Sequence, residues 1–175
     1  SLFLEGHLKR IILGFFCLFL FLLIDYKNLK PIAPYFLTIS IALLIMTKGY
    51  YLIRGINSPA RWLHISVFSI QTSDVARLSL IIFLAYYLDE IKMRIKNLYK
   101  GFLPCIIAIG TIMSFIVIQP DFSTAFMVGT IGLVIIFVAG AKMLHIFISI
   151  LTGILISIPI IYLKPYRWAR IVSFF

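Results

Sequence analysis

Along the chain, apolar residues arrive in six long runs separated by short charged or turn-prone stretches. Runs of this length suit helices crossing a hydrocarbon core roughly 30 Å thick, and they predict an all-α, polytopic helical membrane protein of about six transmembrane helices. The first run, 11–24, is short for a span and is expected to extend over about 8–26, with Lys9 and Arg10 snorkelling to the interface. The second is expected over about 31–47, with Pro31 suited to a first helical turn. A turn-prone connection, 48–61, carries Gly49, Gly55, Asn57, Ser58 and Pro59. The remaining spans are expected at about 64–88, 102–118, 122–140 and 143–163.

Composition supports this picture. The chain is 62% hydrophobic, well above the roughly 45–50% of soluble domains, and its mean hydropathy is +1.10, which excludes a water-soluble fold. Net charge is +10, and most of the charge lies between the apolar runs. A basic balance of this kind can signal nucleic-acid binding, but that requires a soluble basic face, which six spans leave no room for. The anions that fit are membrane lipid head groups and lipid-linked phosphates. Cys17 and Cys105 both fall inside apolar runs and read as packing groups, with no disulfide or metal site. Ser1 in place of a Met, the lack of a signal-peptide pattern and an end within an amphipathic stretch lead to the expectation that the chain is part of a longer protein.

With six crossings the loops alternate between two sides. One side holds Lys27, Lys30, Lys92, Arg94, Lys96, Lys100 and Lys142; the other holds Lys9, Arg10, Lys48, Arg54, Arg61, Lys164, Arg167 and Arg170. Seven against eight decides nothing by the positive-inside rule, but the density of 92–100 assigns that short loop to the cytoplasm. Arg54, Arg61, Lys164, Arg167 and Arg170 then face outward, against the insertion bias. An anionic ligand on that side would explain them, as would anchoring to anionic lipid.

The third run is unusual because Gln71, Ser73, Asp74 and Arg77 interrupt it. If 64–88 is one helix, His64, Gln71, Asp74 and Arg77 share a face as a polar stripe. An ionisable pair in a span must face a bundle interior or a wet cavity, so the stripe is either a structural ion pair or a cavity wall. Gln119-Pro120-Asp121 forms a minimal connection between the fourth and fifth runs. Asp121 is placed to cap the following helix, and Gln119 and Asp121 could equally line the mouth of the same cavity. Tyr166-Arg167-Trp168-Ala169-Arg170 alternates interfacial aromatics with guanidinium groups, which grip a diphosphate well through their planar fork. The chain shows no metal-ligand spacing, phosphate loop, nucleophile elbow or internal repeat.

Three segments carry a resemblance. Residues 57–88, NSPARWLHISVFSIQTSDVARLSLIIFLAYYL, resemble a pattern in which an N-G-x-R-R-W-like turn precedes F-x-x-Q-P-S-E-x-x-K and an apolar helix. Residues 119–140, QPDFSTAFMVGTIGLVIIFVAG, resemble Q-P-D-x-G-T-A followed by L-F-x-A-G. Residues 166–174, YRWARIVSF, resemble Y-R-x-x-R-I-x-x-F. In this order and spacing they are similar to the SEDS family of FtsW, RodA and SpoVE, with the Y-R form leaning toward the FtsW-like branch. Thr72 stands where the family has Pro, Asp74 for Glu, Arg77 for Lys and Ser123 for Gly, so charge signs are kept while reach and fork geometry change.

What the resemblance implies is a piece of a ten-helix fold, with 1–175 as a single transmembrane domain covering family helices two to seven and the start of the large extracytoplasmic loop. It also implies a multi-pass protein of the bacterial cytoplasmic (inner) membrane, in cell division or cell-shape maintenance. The implied activity is peptidoglycan glycosyl transfer: lipid II is polymerised into glycan strands, undecaprenyl diphosphate leaves, and a class B penicillin-binding protein with one transmembrane helix is the partner. No cofactor is evident, and a divalent cation, Mg or Mn, is admitted by resemblance. Arg61, Gln71, Asp74, Arg77, Gln119, Asp121, Arg167 and Arg170 are the substrate-binding candidates, while the family's catalytic Asp falls after Phe175, so this chain alone is expected to be inactive. A lipid II flippase and a non-catalytic scaffold of the cell-wall machinery are the alternatives.

Overall fold

The computed structural model describes residues 2–23, 25–53, 62–65 and 68–162. Six α-helices occur among them, one at each apolar run: α1 (Leu2–Leu22), α2 (Ala33–Ile53), α3 (Thr72–Ile91), α4 (Leu103–Ile118), α5 (Phe122–Val138) and α6 (Met143–Tyr162). Ala33–Ile53 and Leu98–Ile118, where a π turn runs on into α4, are long and apolar enough to cross a membrane by themselves. At 1.5 Å per residue, 21 residues reach about 31 Å, one hydrocarbon thickness.

Two expected boundaries move. The second span begins at Ala33, after a turn containing Pro31, and continues through Lys48, Gly49, Tyr50 and Tyr51, so the first residues of the supposed connection are helical. The third run is not one helix. Its first part is an antiparallel hairpin of β1 (Trp62–Ile65) and β2 (Phe68–Gln71), in the register Trp62↔Gln71 to Ile65↔Phe68, and α3 begins only at Thr72. The physical reason is the period. Phe68-Ser69-Ile70-Gln71 alternates apolar and polar residues, a period of two that fits a strand and not a helix. Tyr51 ties the hairpin to α2 by donating its hydroxyl to the Trp62 carbonyl at 3.1 Å.

The core lies among α2, α3, α4 and α5, with α3 packed against the other three. Ala76, Leu80, Leu84 and Leu88 recur every four residues and form its buried stripe. They meet Leu37 and Leu44 of α2, Ile109, Ile112 and Ile116 of α4, and Ala125, Val128 and Ile136 of α5 in one continuous apolar cluster. Small residues let backbones approach: a Cβ at Gly132 would stand 2.6 Å from Cδ1 of Ile109, so α4 and α5 touch where α5 has no side chain. Ser40 and Ser79 hydrogen-bond across the α2–α3 contact at 2.7 Å, and each also donates to a carbonyl of its own helix or is placed to do so, Leu37 and Ala76 respectively. The described side chains of α1 are exposed, as are most of those of α6.

The polar ends differ. At one end Lys30 forms an ion pair with Asp89 at the foot of α3. Asp25 caps the 3-10 turn Tyr26–Leu29, accepting from the Lys27 amide at 3.0 Å. The connection from α3 to α4 is a 3-10 turn, Lys92–Lys96, then the π turn Leu98–Phe102. It is tightly built: Ile95 is buried, Asn97 Oδ1 accepts from the amides of Tyr99 and Lys100, and a Cβ at Gly101 would meet the Arg94 carbonyl oxygen at 2.2 Å. Phe102 packs on His145 of α6 with ring centres 5.1 Å apart. This basic end therefore gathers the loops before α2, between α3 and α4, and at the start of α6. The hairpin, the start of α3 and residues 119–121 form the opposite end.

Candidate functional site

The opposite end assembles from three helix termini. Gln71 is the last residue of β2 and the N-cap of α3, half-buried, with its amide donating to Ser73 Oγ at 3.0 Å. Thr72 and Ser73 are buried, and Asp74 follows in the first turn of α3, where the positive end of the helix dipole favours a carboxylate. One turn on, Arg77 Nη2 meets Asp74 Oδ1 at 3.1 Å. The pair is not sealed inside the bundle, for Asp74 keeps 51% of its side chain exposed and Arg77 32%. Arg77 also points Nη1 toward Met127 Sδ of α5 at 3.9 Å. The pair thus occupies an open face of α3 beside α5.

Gln119 and Asp121 are placed differently. Gln119 is fully buried at the end of α4 and donates from Nε2 to the Leu44 carbonyl of α2 at 3.0 Å. Asp121 is 3% exposed and is the N-cap of α5, accepting from the Thr124 amide at 3.4 Å. Both lie beneath the surface and fasten the α4–α5 connection. Thr72 Oγ1 and Gln119 Oε1 are buried with no hydrogen-bond partner among the described residues, so this end retains unused polar capacity.

The polar stripe is corrected accordingly. His64 belongs to β1 and Gln71 to the end of β2, so neither shares a helical face with Asp74 and Arg77. Of the eight candidate residues, the structure brings Gln71, Asp74 and Arg77 together around the start of α3, with Gln119 and Asp121 buried at the same end. Arg61, Arg167 and Arg170 lie outside the described residues, as do Arg54 and Lys164. Cys105 is buried and donates to the Gly101 carbonyl at 3.4 Å, in keeping with a packing role. Cys17 has no described side chain. Sequence reading missed the partners of two polar residues, the Leu44 carbonyl for Gln119 and Ser40 for Ser79, because both bonds join helices far apart in the chain.

A cleft of about 420 Å³ lies elsewhere, lined by Leu29, Lys30, Ile81, Ile82, Ala85, Tyr86 and Asp89. From Asp74 to Asp89 is about 22 Å along α3, so this cleft belongs to the basic end and not to the Asp74–Arg77 face. The geometry at the Asp74–Arg77 face, and not the size of the cleft, locates the candidate site.

Among the described residues, two helices of membrane-spanning length and further apolar helices packed around one apolar core fit a fragment of a polytopic helical membrane protein. Within that class, the chain belongs to the cell cycle protein family of FtsW, RodA and SpoVE, whose family model matches residues 2–175. It is 35% identical over 147 residues to the probable peptidoglycan glycosyltransferase FtsW of Pseudoalteromonas translucida (strain TAC 125), covering 83% of this chain and 36% of that protein. It is 32% identical over 165 residues to the stage V sporulation protein E of Bacillus subtilis (strain 168), covering 93% of this chain and 44% of that one. The chain therefore spans less than half the length of these curated relatives. Its fold matches a chain in a solved structure of a peptidoglycan synthase complex that coordinates polymerization and crosslinking, with a TM-score of 0.74 and 22% identity over 93% of this chain and 47% of that chain.

Proposed function

We propose that the protein to which this chain belongs is a peptidoglycan glycosyltransferase that polymerises lipid II at the outer face of the bacterial cytoplasmic membrane. The observation that carries this reading is the Asp74–Arg77 pair, open to its surroundings at the end of the bundle away from the basic loops, in a chain similar to proteins named for that activity. The acceptor hydroxyl attacks the anomeric carbon of the donor sugar, its proton passes to a carboxylate, and undecaprenyl diphosphate leaves with the bonding electrons. Arg77 supplies a fixed guanidinium for the charge that builds on the leaving diphosphate. Asp74 holds that guanidinium in place and keeps it from folding back on the helix. Gln71, half-buried one turn away, is suited to a neighbouring sugar or phosphate oxygen. Arg61, Arg167 and Arg170 are proposed to complete the cationic set.

The carboxylate that takes the proton is assigned to a residue beyond Phe175. Among the described residues no three His, Cys, Asp or Glu side chains converge. A class B penicillin-binding protein is proposed as the partner.

The test uses the full-length protein in a lipid II polymerisation assay. Arg77→Ala is expected to lower the rate by about 100–1,000-fold, in the range for loss of one charge-stabilising donor. Arg77→Lys should recover part of it, and Asp74→Asn should lower the rate less than Arg77→Ala. Polymerisation at the normal rate by a folded Arg77→Ala protein would refute the role given to this pair.

A further inference from the structure

The cleft at the basic end is built from two kinds of surface. Its wall is apolar, with Ile81, Ile82 and Ala85 on α3 and Leu29 on the preceding turn, and its rim carries Tyr86 and the Lys30–Asp89 ion pair. α3 and the turn Tyr26–Leu29 therefore form a shallow trough with an apolar wall and a charged rim. On the loops at this end of the bundle the cations outnumber the acids. Lys27 and Lys92 are exposed, and Arg94, Lys96 and Lys100 follow on the same connection, against Asp25, Asp89 and Glu90.

These cations are held by structure. The connection is pinned by buried Ile95, by the Asn97 caps and by the close approach at Gly101, so its charges are presented on a fixed frame. The Lys30 hydrogen bond and charge, with a smaller contribution from Lys92, hold the Asp89 carboxyl below its ordinary range, so the Lys92 charge is felt at this rim as well as that of Lys30.

We propose that this cleft is a binding site for one anionic phospholipid, with an acyl chain along Ile81, Ile82 and Ala85 and the phosphate over Lys30 and Lys92. Charge complementarity selects this occupant. A zwitterionic lipid would gain the apolar wall but no net attraction from the rim, and a soluble phosphate would gain the rim but leave the wall in water. The phosphate competes with Asp89 for Lys30, so the ion pair serves as the resting partner of the lysine. This site is separate from the Asp74–Arg77 face, and the inference rests on the membrane fold, not on the polymerase reading.

The experiment is native mass spectrometry of the full-length protein, delipidated in detergent and titrated with phosphatidylglycerol or phosphatidylcholine of the same acyl chains. The wild type is expected to retain phosphatidylglycerol in clear preference. Lys30→Gln and Lys92→Gln should each lower that preference about fivefold, from about 1 kcal/mol for each basic side chain near an anionic surface. Ala85→Trp keeps every cation but fills the trough, and it should abolish the preference. Lys92→Gln leaves the Lys30–Asp89 pair intact and stays informative if Lys30→Gln does not fold. Equal retention of the two lipids by the wild type would overturn the site. So would undiminished retention of phosphatidylglycerol by folded Ala85→Trp, which would reduce the effect to surface charge alone.

Discussion

Gln119 shows how far a single residue can be read from its neighbours. Its place in Q-P-D between two apolar runs suggests a polar lip on a cavity, yet the side chain turns inward and fastens α4 to α2 through the Leu44 carbonyl. That bond joins positions 75 apart, and no local pattern announces it. Asp121, by contrast, is readable: an acid just before an apolar helix is a cap, and it caps Thr124. The Asp74–Arg77 pair is readable too, because residues three apart on a helix meet whatever the tertiary fold. The inward turn of Gln119 has a measurable consequence. Gln119→Glu sets a carboxylate against the Leu44 carbonyl in a fully buried place, replacing a donor with a second acceptor. It should destabilise the protein by about 2–3 kcal/mol, seen as a lower unfolding temperature in detergent. If the unfolding temperature holds and only polymerisation falls, Gln119 acts on substrate and not on the fold.

At the scale of elements, the apolar runs gave the number and order of the helices but misplaced their ends. Helix α2 runs on through Gly49 because a membrane helix tolerates glycine where neighbours satisfy the backbone, so a turn-forming residue is weaker punctuation there than in water. The hairpin was hidden for a different reason. An expected span of 64–88 absorbs a short stretch of period two unless the period is checked residue by residue. Packing between α4 and α5 is set by positions without side chains, and here the three glycines differ in ways that composition cannot show. A Cβ at Gly132 meets the buried, branched Ile109 at 2.6 Å; one at Gly129 meets the flexible thioether of Met113 at 2.8 Å; one at Gly110 meets nothing within 4 Å. Substitution by alanine should therefore be worst at Gly132, costing about 1–3 kcal/mol, milder at Gly129 and neutral or slightly stabilising at Gly110. Thermal unfolding of the three variants in one detergent checks the order. A loss at Gly110 as large as at Gly132 would mean that α4 and α5 do not pack in this way.

For the whole molecule, the question is which end faces the cytoplasm, and counting cations leaves it tied. The structure supports the alternation behind that count. The Lys30–Asp89 pair and the Phe102–His145 contact gather the loops around 25–32, 92–102 and the start of α6 at one end, while Gln119 and the start of α3 occupy the other. A dense, rigid set of basic residues resists translocation, and the function proposed above requires that end to face the cytoplasm and the Asp74–Arg77 pair to face out. Thiol labelling tests the assignment without requiring any activity. In full-length protein with Cys17→Ser and Cys105→Ser, and any further cysteines likewise replaced, Lys96→Cys and Pro120→Cys each present one exposed position at opposite ends. A membrane-impermeant maleimide should modify Pro120→Cys from outside intact spheroplasts and Lys96→Cys only in inverted vesicles. The reverse pattern would place Arg77 on the inner face, where a polymerase of exported lipid II would have no use for it. The polymerase reading would then fail, while the anionic lipid site, which depends on the bundle and not on its orientation, would move to the outer leaflet.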